Sequence, residues 1–172
     1  MKNISQQKPQ SSAQEWFDSR ANLRGAFLQK HGWAEAQIFP VGEDCAFRRY
    51  VRLNRADHSV ILMEAVQDGH AIATPGHSLH DFVRIGACLR SLGLHTPQIY
   101  EADEKNGYLL LEDFGDVSFR VALAGGAEQK ELYGLAVDVL SHIRTHTKTN
   151  TIDLPDYYAS HVHTGRRRIV DW

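Results

Sequence analysis

Two segments of this sequence carry groups able to bind a ligand through the backbone. The first is Pro40-Val41-Gly42-Glu43-Asp44-Cys45-Ala46-Phe47-Arg48-Arg49-Tyr50. A tight turn between two strand-like pieces leaves backbone N–H groups pointing outward, where they can bind phosphate oxygens, and Arg48 and Arg49 can add charge-assisted bonds. Its single Gly42 does not make a GxGxxG pattern, and by composition alone an ordinary hairpin turn fits the same residues. The second is Gly107-Tyr108-Leu109-Leu110-Leu111-Glu112-Asp113-Phe114-Gly115. A continuous apolar run bounded by Gly and acidic residues reads as a buried strand that stops abruptly. Upstream, Gly93-Leu94-His95-Thr96-Pro97-Gln98-Ile99-Tyr100 combines a helix stop with a Pro-led strand entry. Two strands therefore arrive at one acidic, glycine-punctuated turn that can present backbone groups to a flat ligand.

Other constellations are weaker. His142 and His146 lie one helical turn apart and His161 and His163 form a close pair, but without a Cys or carboxylate in register they read as helix-surface histidines. A nucleophilic Cys45 needs a neighbouring base that nothing in the sequence indicates. Arg166-Arg167-Arg168 is the one basic cluster and reads as a solvated helix face. With 19 basic and 21 acidic side chains the net charge is −2, so nothing draws the whole chain to nucleic acid or an anionic membrane. Cys45 and Cys88 lack CxxC spacing, which suits reduced thiols in a cytoplasm. No apolar run approaches the roughly 20 residues needed to cross a bilayer, and residues 1–12 have no signal-peptide apolar region. A soluble, cytoplasmic protein is expected, and 172 residues suffice to bury a core and build an enzyme.

The elements that must position these residues follow from periodicity. Residues 1–12, rich in Gln, Ser and Lys, read as a disordered tail, with Ser12 as a helix cap because Glu15 lies three positions on. Trp16, Phe17, Leu23, Phe27 and Leu28 recur at helical spacing up to His31-Gly32. Strand-like pieces at 37–41, 46–53 and 60–65 suit an antiparallel meander, and 68–76 is a loop. Ser78 opens a helix with a stripe of Phe82, Ile85, Leu89 and Leu92, ended by Gly93. Strands at 98–102 and 108–112 follow, then helices at 117–123 and 128–147. Leu132, Leu135, Val139 and Ile143 make an apolar stripe that reads as core.

Gly42-Glu43-Asp44-Cys45-Ala46-Phe47-Arg48-Arg49-Tyr50-Val51-Arg52-Leu53, then Ile61-Leu62-Met63-Glu64-Ala65, Phe82-Val83, Gly93-Leu94, Pro97 and Leu109-Leu110-Leu111-Glu112-Asp113-Phe114-Gly115-Asp116, in this order and spacing, resemble the aminoglycoside phosphotransferase-like kinases. Within them the likeness is to the branch that phosphorylates N-acetylmuramate and N-acetylglucosamine in cell-wall recycling, and it runs from about Arg20 to Trp172. The resemblance implies an α+β fold: a protein-kinase-like small lobe at 13–113, with a five-stranded antiparallel sheet plus helix. The connector and first helices of an incomplete helical large lobe would follow at 114–172. It also implies ATP- and Mg²⁺-dependent phosphorylation of an amino-sugar hydroxyl. The phosphates would lie under Gly42, Glu43, Asp44, Cys45, Ala46, Phe47, Arg48 and Arg49, and the adenine against the backbone of Glu112, Asp113, Phe114 and Gly115. Asp113-Phe114-Gly115 spells the tripeptide that holds magnesium in protein kinases, but it directly follows a small-lobe strand with no catalytic loop before it, so that role is rejected.

Two departures qualify the resemblance. Met63 falls near the place of the third-strand Lys that pairs with phosphates in many kinase-like proteins. Arg48 or Arg49 supplies that charge, or both are ordinary strand-surface residues. No His-x-Asp loop follows Asp116, and Val170-Asp171-Trp172 resembles a helix that the family places before that loop, so a truncated kinase, inactive alone, is expected, without catalytic or metal-ligating residues of its own. The uncovered helical stripe would then favour self-association. The rival readings are a catalytically dead remnant or nucleotide-binding module, and an aminoglycoside-modifying phosphotransferase, which the Phe47-Arg48-Arg49-Tyr50 hairpin fits less well than the sugar branch.

Overall fold

A strand covered on both faces has no solvent side on which polar residues can alternate, and the runs at 60–65 and 108–112 show no such alternation. The computed structural model, which describes residues 10–44, 48–56, 58–66 and 78–147, places both at the interior of one antiparallel sheet. The elements in chain order are α1 (Gln10–Ser19), α2 (Ala21–Lys30), β1 (Gln37–Asp44), β2 (Arg48–Arg55), β3 (His58–Ala65), α3 (Leu79–Ser91), β4 (Ile99–Asp103), β5 (Tyr108–Glu112), α4 (Phe119–Ala124) and α5 (Gln129–Thr147). The strand order is β1-β2-β3-β5-β4, so the chain leaves β3 through α3, forms β4 at the edge and returns between them as β5. This is the expected α+β arrangement of five antiparallel strands with one helix after the third.

Each sheet face has its own core. On one, Phe27 and Leu28 of α2 pack on Leu53, Val60, Leu62, Tyr108 and Leu110. On the other, Leu79 of α3 packs on Met63, Ala65, Leu109 and Leu111, with Phe82, Val83 and Ile99 at the margin. A buried side chain of Leu or Met size contributes about 1.5–3 kcal/mol, so β3 and β5, which supply both cores, anchor the domain.

Local chemistry fixes the ends. The Ser78 hydroxyl accepts the Asp81 N–H at 2.8 Å, capping α3. At the other end Gly93 adopts φ +81, and the N–H groups of Gly93 and Leu94 return to the carbonyls of Arg90 and Leu89 at 2.9 and 3.1 Å, closing the helix as a Schellman turn. Gly107 turns the chain from β4 into β5 at φ +77, where a Cβ would lie 2.2 Å from the Ala65 carbonyl oxygen. No other residue fits there without moving β3.

Three expectations change. The first helical run is two helices broken at Arg20, whose backbone leaves the helical region (φ −98, ψ 8) as its side chain turns inward. The α1 helix starts at Gln10, so Ser12 lies inside it rather than capping it. The stripe on α5 is not a core: Leu135 is 58% exposed and α5 has no buried residue, because no described element covers it. The tail at 1–9, the loop at 68–76, His161, His163, Arg166, Arg167, Arg168 and residues 170–172 lie outside the described residues.

Candidate functional site

Side chains alternate along a strand, so positions 48, 50 and 52 of β2 face α3 while 49, 51 and 53 face α1 and α2. Antiparallel partners share a face, and the register carries this across the sheet: Phe39 opposes Arg52, Arg52 opposes Ile61, Ile61 opposes Leu111 and Leu111 opposes Ile99. The neighbouring row runs Gly42, Tyr50, Met63, Leu109. Helix α3 seals Met63, Leu109 and Leu111, whereas Tyr50, Arg52 and Ile61 are half-buried and Phe39 is 44% exposed. A largely apolar ceiling with one guanidinium in it thus remains beside the end of β5. A cavity of about 690 Å³ lies along α3, lined by Arg48, Asp81, Phe82, Ile85, Leu89 and Ile99, among others.

The connector after β5 is tied down residue by residue. Glu112 is bonded to Gln98 twice: its N–H donates to the Gln98 carbonyl at 2.8 Å and its carboxylate accepts the Gln98 N–H at 3.0 Å. Asp113 receives a fork from Arg52, with Nε to Oδ2 at 2.5 Å and Nη2 to Oδ1 at 3.0 Å, and also accepts the Gly115 N–H at 2.9 Å. The Arg52 bonds, helped by those from Gly115 and Ser59, hold the Asp113 carboxyl below its ordinary pKa against the opposing effect of burial. Asp113 and the exposed Asp116, 2.9 Å from Arg52, raise the pKa of the guanidinium in turn. Phe114 is 52% exposed with its ring 4.8 Å from that of His95, and Gly115 takes φ +74.

At the hairpin, Gly42, Glu43 and Asp44 oppose Tyr50, Arg49 and Arg48, with an extra residue bulged between Pro40 and Gly42. Cys45, Ala46 and Phe47 lie outside the described residues. The two arginines separate. Arg48 lies on the α3 side, its guanidinium 5.4 Å from the centre of the Phe82 ring. Arg49 lies on the opposite face, 2.5 Å from Glu64 and 4.6 Å above the Phe17 ring. Glu64 is 1% exposed and also meets Arg24 at 3.1 Å and Arg20 at 3.5 Å. Beside this knot, burial chiefly, reinforced by the Glu64 charge and opposed by Arg20, pushes Tyr108 up to about 12.

The hairpin and the connector thus meet one sheet face, with Arg48 at one end, Glu112 to Gly115 at the other, and Arg49 behind the sheet. The sequence names Arg52 and Ile61 only within the resemblance and does not mark them or Phe39 as site residues, although a period-two count from Arg48 places Arg52 on its face. The Glu64 knot had no such signal, since Arg20, Arg24 and Arg49 converge only through the fold. Among the described residues no group of three or more His, Cys, Asp or Glu could hold a metal ion. His142 instead bonds the Leu92 carbonyl at 2.7 Å, and His146 bonds the His142 carbonyl at 2.8 Å.

No protein-family model matches the chain. Three curated proteins are similar to it, each named N-acetylmuramate/N-acetylglucosamine kinase. That of Pseudomonas aeruginosa is 34% identical over 128 residues, covering 73% of this chain and 35% of the relative. That of Pseudomonas putida is 28% identical over 128 residues, covering 73% and 34%. That of Caulobacter vibrioides is 28% identical over 141 residues, covering 70% and 39%. The chain therefore spans between a third and two fifths of the length of these relatives, and it is related in sequence to sugar kinases over most of its own length.

Proposed function

We propose that residues 13–113, with the connector that begins at 114, form the nucleotide-binding part of an ATP-dependent sugar kinase of the aminoglycoside phosphotransferase-like type. It would act on an amino-sugar hydroxyl such as that of N-acetylmuramate or N-acetylglucosamine. The observation that carries the reading is a sheet face bounded by a hairpin and a tethered connector, in a chain similar to kinases named for those two sugars. The ceiling of half-buried Tyr50 and Ile61 and exposed Phe39 suits the flat, apolar faces of adenine, the connector offers backbone groups to its edge, and Arg48 suits a phosphate at the hairpin end. Arg48, rather than Arg49, takes the part of the absent third-strand lysine, because Arg49 is paired to Glu64 on the other face.

In the reaction the acceptor hydroxyl oxygen forms a bond to the γ-phosphorus of ATP as the bond to the β,γ-bridging oxygen breaks, releasing ADP. This chain's described residues bind and orient the donor. None of them is assigned to the hydroxyl proton or to magnesium, which supplies charge neutralisation when bound.

Calorimetric titration tests the reading. The chain should bind ATP saturably with ADP competing, and Gly42→Val should weaken ATP binding because its Cβ obstructs backbone approach to the phosphates. Absence of saturable binding at millimolar ATP would refute it, and equal affinity in Gly42→Val would remove the hairpin from the site. Sugar-dependent ADP release is not expected from the 172-residue chain, which contains no His-x-Asp sequence.

A further inference from the structure

The Arg52 side chain is placed unusually for a strand residue. It projects from the middle of β2 on the ligand-facing side, in the same cross-strand row as Phe39 and Ile61. It nevertheless reaches past the sheet to the connector. There it spends its fork on Asp113, at 2.5 and 3.0 Å, and its third nitrogen on Asp116, at 2.9 Å. The Asp113 side chain is only 5% exposed, and the carboxylate that receives the fork also fixes the Gly115 N–H at 2.9 Å. One guanidinium thus sets both the distance between ceiling and connector and the turn of the connector backbone.

We infer that Arg52 is the positioning residue of the base end of the nucleotide site: through Asp113 it holds the connector backbone at the spacing that admits a purine under Phe39 and Ile61. This rests on the nucleotide-site reading above and adds a residue and a division of labour to it. A planar bidentate pair constrains orientation as well as distance, which a point charge such as lysine does not. The Phe39 side chain lies on edge strand β1, separated by two strands from β5 and the connector that follows it. Loss of the clasp therefore costs the base, whichever phosphates follow it, and leaves the hairpin end unaltered.

The test compares adenosine with ATP on the wild-type chain, Arg52→Lys, Arg52→Met and Asp113→Asn. Circular dichroism and thermal melts identify the folded variants, and Asp113→Asn keeps the shape of the side chain should Arg52→Met fail to fold. Losing charge-assisted bonds of this type should lower affinity about tenfold. The expected result is an equal loss for adenosine and ATP in Arg52→Met and Asp113→Asn, with Arg52→Lys failing to restore it. Variants that bind both ligands like the wild type would overturn the inference, as would a loss confined to ATP, which would move Arg52 to the phosphates. A wild-type chain that binds neither ligand would instead strike the nucleotide-site reading itself, so the two failures are separable.

Discussion

Glu64 offers the sharpest test of how the sheet and its helices are held together. Its carboxylate is the counter-charge shared by Arg20, Arg24 and Arg49 at 3.5, 3.1 and 2.5 Å, and the side chains are 8, 20 and 20% exposed against 1% for Glu64. Glu64→Leu fits the apolar surroundings but leaves three guanidinium groups facing one another. Stripping the partner from a buried ion pair costs about 3–5 kcal/mol. Arg24 and Arg49 can turn toward water, so about 3 kcal/mol is expected here, a large share of the ~5–15 kcal/mol that holds a domain together. Glu64→Gln keeps the shape and one acceptor oxygen, and should cost about 1.5–3 kcal/mol. With a urea slope of about 2 kcal/mol/M, Glu64→Leu should move the midpoint down by roughly 1.5 M without changing the slope. A midpoint shift below about 0.5 M for Glu64→Leu would mean that the arginines find water as readily as they find Glu64, and would remove the knot from what holds the fold together.

Three further outcomes follow from the same contacts. The lowered pKa of Asp113 makes its ionised form a native-state asset: its contribution is complete above the ordinary carboxylate value of about 4 and is lost as pH falls below it toward the lowered native value. The stability gap between wild type and Asp113→Asn should therefore be constant from about pH 5 to 7 and close in acid, as measured by urea melts. Tyr108 runs the other way: neutral when buried and pushed up to about 12, it contributes stability fully below about pH 10 that is lost as pH rises through 12. Tyr108→Phe should lack that alkaline loss, worth on the order of 2–3 kcal/mol, in denaturation between about pH 9 and 12. Finally, Leu135 and Leu140 on α5 are 58 and 66% exposed, so the chain should enhance the fluorescence of a hydrophobic dye, and Leu135→Glu with Leu140→Glu should reduce that enhancement without altering ATP affinity.

The sheet was legible because its determinants are local in sequence. Gly107 and Gly93 stand where a positive φ is required, and Ser78 stands where a helix needs a cap. The apolar runs of β3 and β5 announce strands covered on both faces. What periodicity could not supply was the fate of each helix. Arg20 sits in a run whose apolar spacing is helical on both sides, and the run breaks where its side chain turns inward to the Asn106 carbonyl and Glu64, 86 and 44 positions away. Leu132, Leu135, Val139 and Ile143 have the spacing of a core stripe, but a stripe becomes core only where another element faces it, and that belongs to packing, not to pattern.

The candidate site divides along the same line. Gly42 to Arg49 and Glu112 to Gly115 are contiguous segments, and contiguity is what a sequence displays. Arg48 and Arg49 look interchangeable in the chain, yet a strand sends neighbours to opposite faces, so one can reach a ligand between hairpin and connector only if the other cannot. Which is which depends on where the helices lie: α1 and α2 occupy one face and bring Arg20 and Arg24 to Glu64, and Arg49, on that side, is drawn into the same knot. Arg48 is left with α3, and with it Tyr50 and Arg52 at two-residue steps. The Asp-Phe-Gly spelling, too, takes its meaning from packing: both oxygens of the Asp113 carboxylate accept from an Arg52 that lies 61 positions earlier, and one of them also accepts the Gly115 N–H, contacts that no local reading of the three residues displays.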